Sequence, residues 1–308
     1  METMKITFYF CFVLISCFFL VGFDFSKHSI PLDEIYSGGP PKDGIPSIDN
    51  PKFVTGPKAE EDFLSNKDRV LGIFSNGKAK AYPIRILNWH EIVNDQIGGK
   101  PIVVTFCPLC GTGMVFDSNL NGKPTSFGVS GLLYQSDMLL YDRETESLWS
   151  QIKSSSVAGD LTGTRLKLLS STQTTWKAWK KKHPKTLVLS TKTGYRRNYD
   201  KDPYQGYYSS SNLMFEVNQK KNWYHPKEKV IGIEVGESAK VYPFSELSKV
   251  NTPFTDTVGG ITLKIYYDSI SKTATIYDSN GEQFPTVVGF WFAWYTFHPN
   301  TEVYKGKL

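Results

Sequence analysis

RVLGIFSNGKAKAYP, residues 69–83, returns 160 positions later as KVIGIEVGESAKVYP, residues 229–243. Each copy reads as two short extended runs of β-branched and aliphatic residues around a turn signal, the second ending in Tyr-Pro. Gly98-Gly99 recurs as Gly259-Gly260 and Phe116-Asp117 as Tyr277-Asp278, both at an offset of 161. Another pair stands at an offset of 115. Trp176-x-x-Trp179 followed by His183-Pro184-x-Thr186-x-Val188 matches Trp291-x-x-Trp294 followed by His298-Pro299-x-Thr301-x-Val303. Two copies are too few for a solenoid, so the expectation is an internally duplicated β-rich unit whose two halves pack together, with pseudo-repeats at 69–117 and 229–278.

Outward from the repeat, further strand-like segments run over Pro101 to Phe106, Met114 to Asp117 and Met138 to Tyr141. Helical patterning is short and scarce, and is best over Ile84 to Asn94, Thr172 to Lys182 and Phe244 to Lys249. The predicted fold class is therefore mostly β with a few short helices (α+β). The chain has 308 residues, of which 40% are hydrophobic and 14% aromatic, enough apolar material for a packed core. Its 35 Lys+Arg against 30 Asp+Glu leave a charge of +5, too mild to imply a nucleic-acid partner.

The uncharged run Ile6 to Phe23 is intermediate in length between a signal-peptide core and a minimal membrane span. Residues 1–28 are expected to be a signal peptide or an N-terminal membrane anchor. No small-x-small site closes the run, and Leu14-Ile15-Ser16-Cys17 resembles a lipobox, so anchoring, cleavage and lipidation at Cys17 all stay open. The protein is expected to be exported, either held at the extracytoplasmic face of the membrane through this segment or secreted. Residues 29–57, punctuated by Gly38-Gly39-Pro40-Pro41, read as an irregular tether, and 58–308 as the globular region.

The repeat serves as an internal control. Carrying the offset of 161 through the aligned stretch sets Asp268 opposite Cys107, Ser271 opposite Cys110 and Thr275 opposite Met114. At the offset of 160, Val250 stands opposite His90. Residues kept in both units are explained by the fold, and those found in one are candidates for chemistry. In Cys107-Pro108-Leu109-Cys110-Gly111, two thiols three positions apart across a turn with a following glycine have the form of a metal knuckle. The four cysteines of the chain, at 11, 17, 107 and 110, provide no second pair in the exported part, so further ligands are expected from His90, with Met114 as a weaker candidate. Glu91 or Asn94 would then orient His90. A structural histidine at position 90 is the alternative. His183 and His298 read as helix-end residues beside an aromatic core face.

Three readings of the cysteine pair stay open: a site for a transition metal, copper or zinc; a dithiol/disulfide redox pair; and a static disulfide. Thiolate with imidazole and thioether would suit copper, and zinc is the more general expectation. Among the polar residues that follow, Arg143 and Gln151 are weaker candidates for lining a ligand pocket, against the reading of Asp142-Arg143-Glu144 as a surface turn. Five lysines between Lys177 and Lys185 read as a solvated helix face. No phosphate-binding glycine loop, Gly-x-Ser-x-Gly elbow or His-Glu-x-x-His helix occurs, so no nucleotide cofactor and no hydrolase chemistry is expected.

The blocks Ala81-Tyr82-Pro83, Trp89-His90-Glu91-Ile92-Val93-Asn94-Asp95, Gly98-Gly99-x-Pro101-Ile102 and Cys107-Pro108-Leu109-Cys110-Gly111-Thr112 resemble an uncharacterised family of exported bacterial and archaeal proteins, catalogued as a domain of unknown function. The resemblance continues through Ser130-Gly131-Leu132-Leu133-Tyr134 and Ser147-Leu148-Trp149-Ser150-Gln151, from about residue 43 to the C-terminus. It implies that the Trp-His-Glu and Cys-Pro-Leu-Cys-Gly-Thr blocks form one signature, and it brings no activity with it. The functional expectation is a metal site with a redox or metal-handling role. The alternative is a non-catalytic accessory module of a cell-envelope complex with a static Cys107–Cys110 disulfide.

Overall fold

A computed structural model of the chain describes residues 22–306. Among these the protein is mostly β, with short strands in several sheets and five α-helices of four to seven residues. The apolar run Ile6 to Phe23, read as a signal or anchor, lies almost wholly outside the described residues, as does Cys17. Among the described residues no helix is long and apolar enough to cross a membrane.

The strand Arg69–Ser75 turns back into Lys78–Pro83, with Leu71 opposite Tyr82 and Gly72 opposite Ala81. A five-stranded sheet forms when Ser171–Thr175 adds antiparallel to the first of these strands, Leu187–Leu189 adds parallel to the second, and Phe53–Thr55 closes the edge. The second hairpin, Lys229–Val235 with Ser238–Pro243, gains Val287–Phe290 antiparallel and Glu302–Val303 parallel in the same arrangement. In each sheet a tryptophan-bearing helix, Trp176–Lys182 or Trp291–Phe297, spans from the antiparallel to the parallel neighbour. That helix lays an indole over a strand glycine. A Cβ on Gly72 would come within 2.4 Å of Trp179, and one on Gly232 within 2.3 Å of Trp294. Glycine at these positions is a packing requirement, since no side chain fits beneath the ring.

The polar contacts follow the same plan. Lys80 and Tyr82 both bond Asp95, at 2.7 and 2.6 Å, and Lys240 and Tyr242 both bond Asp256, at 2.9 Å each. The Trp179 and Trp294 indoles each donate to a threonine, Thr186 and Thr301, at 3.0 Å. His183 and His298 cap the two tryptophan helices and stack on the same indoles, with centroids 4.2 and 3.9 Å apart. The fall in sequence offset from 161 to 115 is taken up between Asp117 and Ser171. That stretch contributes most of another five-stranded sheet, Phe127–Tyr134, Asp137–Asp142, Leu148–Ser150 and Ser155–Ala158, with Ile35–Ser37 at its edge.

The segments 69–117 and 229–278 are joined to their surroundings differently. The meander Ile92–Ile97, Lys100–Cys107, Thr112–Asp117 joins the 229–243 hairpin in one sheet, through the pairing of Gly113 with Val288. The corresponding meander Phe254–Val258, Ile261–Asp268, Thr273–Tyr277 is a sheet of its own. Residues 29–57, expected to be an irregular tether, are woven into the body. Ile35–Ser37 pairs with Leu132–Tyr134, Ile48 bridges Val93 and is buried, and Phe53–Thr55 pairs with Leu187–Leu189. The helix expected over Ile84 to Asn94 stops at His90, because Glu91 takes a φ of +57° and the β-branched Ile92-Val93 enters a strand. The helix expected from Thr172 starts at Trp176; the Ser/Thr-rich residues before it are the strand Ser171–Thr175, and Thr175 accepts the helix-capping bond from Ala178.

Candidate metal centre

Two hairpin tips meet in the core. The first joins Lys100–Cys107 to Thr112–Asp117, pairing Cys107 with Thr112 across the four-residue loop Pro108-Leu109-Cys110-Gly111. Gly111 closes the loop at a φ of +63°, under the Phe290 ring, which a Cβ would approach to 2.9 Å. The backbone N–H of Phe290 donates to the Cys110 carbonyl at 2.8 Å, and the Tyr207 hydroxyl donates to the Leu109 carbonyl at 3.1 Å. The loop is thus clamped from two distant parts of the chain, and it buries Cys107 and Cys110 completely.

The second tip joins Phe127–Tyr134 to Asp137–Asp142 through Gln135-Ser136, with Tyr134 paired to Asp137. Both loop residues have positive φ, +52° and +65°. A two-residue hairpin turn of this hand favours Asn-Gly, so Gln-Ser here is a strained choice that its surroundings must hold. Gln135 supplies the hold. Its amide donates to Glu34 at 2.6 Å and its carbonyl accepts from the Asn218 backbone at 2.7 Å. The turn directs the Ser136 carbonyl at the sulfurs, accepting from Cys110 Sγ at 3.3 Å, with Cys107 Sγ at 3.9 Å.

The two sulfurs and a carboxylate oxygen of Asp137 all lie within 4.8 Å of one another, and all three residues are buried. Asp137 Oδ2 accepts from the Ile152 backbone at 3.0 Å, whereas Asp137 Oδ1 and the Ser136 hydroxyl are buried without a partner. An unpartnered buried carboxylate oxygen costs stability, so burying such a carboxylate beside two thiols is a specific feature of the site. Neither thiol is in a disulfide.

The electrostatics point the same way. Burial pushes the Cys110 thiol well above its ordinary range, and Cys107, Asp137 and Glu91 push it further. Asp137 is raised to about 7, again by burial, against its hydrogen bonds. Glu91, swung inward by the left-handed turn at the end of its helix, is raised to about 8 by burial and by Asp137. The Glu91 carbonyl accepts from Phe106 N–H at 2.7 Å, which fixes it beside the cysteine strand, and its side chain borders a cavity of about 90 Å³ shared with Leu109, Met138 and Tyr204. Four acidic groups therefore share one desolvated space. Burial without a cation favours the neutral forms of Cys110, Asp137 and Glu91.

His90 is not among the gathered ligands. Its Nδ1 bonds the Pro46 carbonyl and its Nε2 the Tyr199 hydroxyl, both at 2.7 Å, so neither nitrogen is left for a metal. Met114 is buried in the same core cluster as the two cysteines, on the strand face that carries Thr112. Gln151 is a strut. Its amide donates to Thr105 Oγ1 at 2.7 Å and its carbonyl accepts from Thr112 Oγ1 at 2.6 Å, pinning both strands of the cysteine hairpin. Arg143 reaches away to Asp49 at 2.9 Å and Ser47 at 2.7 Å, fastening the N-terminal segment. Asp137 was visible in sequence only as one polar residue among several after the cysteines; its signal was the Gln-Ser turn before it, which has none of the usual hairpin residues.

The chain belongs to the family described as protein of unknown function (DUF3179), whose model matches residues 42–283. Comparison with curated proteins and with solved structures returns no match.

Proposed function

We propose that this protein is an extracytoplasmic metal protein whose centre is a transition ion held by Cys107, Cys110 and Asp137. The observation that carries the proposal is the buried carboxylate of Asp137, which sets an oxygen within 4.8 Å of two thiol sulfurs and leaves one oxygen, Oδ1, without a hydrogen-bond partner. A divalent ion would take up that oxygen, displace the thiol protons and remove the cost of burying like acids together. Two thiolates and a carboxylate are a donor set for zinc. With the His90 imidazole bonded elsewhere, the argument for copper loses its nitrogen ligand. Glu91, protonated at neutral pH, adds no further negative charge to two thiolates and one carboxylate.

The competing readings of the pair fit less well. A redox thiol needs a lowered pKa, and that of Cys110 is raised. A static disulfide would leave Asp137 Oδ1 and the Ser136 hydroxyl as they are, unpartnered. Export, and either tethering at the envelope or secretion, are supported by the uncharged run Ile6 to Phe23. Descent of residues 69–117 and 229–278 from one copied unit is supported by the equivalent strand orders, the two glycine–tryptophan contacts and the two Lys/Tyr–Asp clusters. In the second unit the positions opposite the cysteines are occupied by Asp268 and Ser271, which bond each other at 2.6 Å. On this reading, the sheet that brings Asp137 to the cysteines was added to the first unit alone.

The test is metal content and proton release. Metal-free protein titrated with zinc should bind one equivalent and release protons in an unbuffered titration. Binding below a tenth of an equivalent, with both thiols titratable, would overturn the proposal.

A further inference from the structure

Beside the cysteine loop lies a cleft of about 450 Å³ with Phe106, Gly111 and Phe290 in its walls. Its size is that of a small-molecule site, and Phe106, Phe290 and Tyr208 give it an aromatic lining. The charges along it are unevenly matched. Arg85 has Asp200 at 3.5 Å and Asp68 at 3.9 Å, and Asp202 accepts the Asn88 amide at 3.0 Å. Arg69 and Lys229, also in the lining, have no carboxylate within ion-pair distance among the described residues. The Arg69 guanidinium is held by backbone carbonyls, Ser271 at 2.6 Å and Gln173 at 3.0 Å.

Lys229 occupies the position equivalent to Arg69 in the repeat, the first residue of the corresponding strand. Arg69 reaches the carbonyl of Ser271 in the loop that corresponds to the cysteine loop. The carbonyls that Lys229 would find in the cysteine loop are already taken: Cys110 accepts from Phe290 N–H, and Gly111 from the Gln173 amide. Among the described residues the Lys229 amine has no hydrogen-bond acceptor at all.

We propose that this cleft binds a small organic anion, with its carboxylate or phosphate against Lys229 and Arg69 and its apolar body between Phe290, Tyr208 and Phe106. Lys229 is half-buried in the cleft wall, and partial desolvation with the Arg69 charge lowers its amine, to about 7. Burial likewise lowers Arg69, to about 10. An oxyanion here would relieve both, and the apolar walls would shield the pairing from water. The proposal rests on different residues from the metal site and stands whether or not metal binds.

Benzoate, phenyl phosphate and the neutral benzamide serve as probes in calorimetric titrations of the intact chain. One of the two anions should bind at least tenfold more tightly than benzamide, and which one does so identifies the oxyanion. Lys229→Met should weaken that anion at least tenfold, about 1.4 kcal/mol, without lowering the melting temperature, and Lys229→Arg should retain it. If neither anion outcompetes benzamide, or if Lys229→Met binds as the wild type does, the proposal fails.

Discussion

His90 and Glu91 are neighbours in the chain and serve different places in the fold: the imidazole is bonded at both nitrogens by Pro46 and Tyr199, while the carboxyl is buried within electrostatic reach of Asp137. The left-handed turn at Glu91, +57° in φ, separates them. The same break that ends the helix also aims an acid at the cysteine strand.

His90→Ala should therefore act on stability and leave the metal site intact. Removing the ring strands the Pro46 carbonyl and leaves the Tyr199 hydroxyl with Thr193 as its one remaining partner, a loss of about 1–3 kcal/mol. Urea unfolding should show the loss, and the zinc stoichiometry of the folded variant should equal that of the wild type.

Asp137→Asn keeps the shape of the side chain and exchanges a charged ligand for a neutral one. Zinc affinity should fall by more than about a hundredfold, beyond the usual effect of losing a residue that only orients a ligand. Cys110→Ser should be at least as severe. Competition against a chromophoric chelator measures both.

The pH dependence has a definite sign. Folding raises Asp137 from 3.8 to about 7 and Glu91 from 4.5 to about 8, so the folded protein holds more protons than the unfolded one across this interval. Their contribution is complete below about pH 4 and is lost as pH rises through 7 and 8. Metal-free protein should thus show a falling melting temperature between pH 5 and pH 8. Glu91→Gln should flatten that fall, and zinc affinity should rise over the same range as protons cease to compete.

Gln151→Leu removes the strut between the cysteine hairpin and the strands that follow Asp137. Two buried hydroxyls, Thr105 and Thr112, lose a partner each. A destabilisation of about 2–4 kcal/mol is expected from chemical denaturation, with metal still bound by the folded fraction.

Gly72→Ala and Gly232→Ala should each cost about 1–3 kcal/mol, because the added methyl meets an indole in either sheet. Equal losses at the two positions would fit their occupying the same place in two copies of one unit. Thermal unfolding of both variants checks this.

Much of the β architecture was readable because a hairpin has a short, local signature: alternating β-branched residues, a glycine turn and the Tyr-Pro end of residues 69–83 and 229–243. The cysteine loop was readable for the same reason. The third member of the group was not, since Asp137 reaches Cys107 and Cys110 only through the packing of one hairpin tip on another, a relationship with no local spacing. Position 90 shows the converse. A histidine beside a glutamate on a short helix carries no mark of which side chain will face inward, because the φ of Glu91 decides it. The partners that satisfy His90, Pro46 and Tyr199, are 44 and 109 residues away.

X-ray absorption at the zinc edge of the loaded protein bears most directly on the metal centre. Two sulfur scatterers at about 2.3 Å, an oxygen shell at about 2.0–2.2 Å and no imidazole signature are the predicted result. A first shell without sulfur, or one with clear imidazole scattering, would contradict a centre built from Cys107, Cys110 and Asp137.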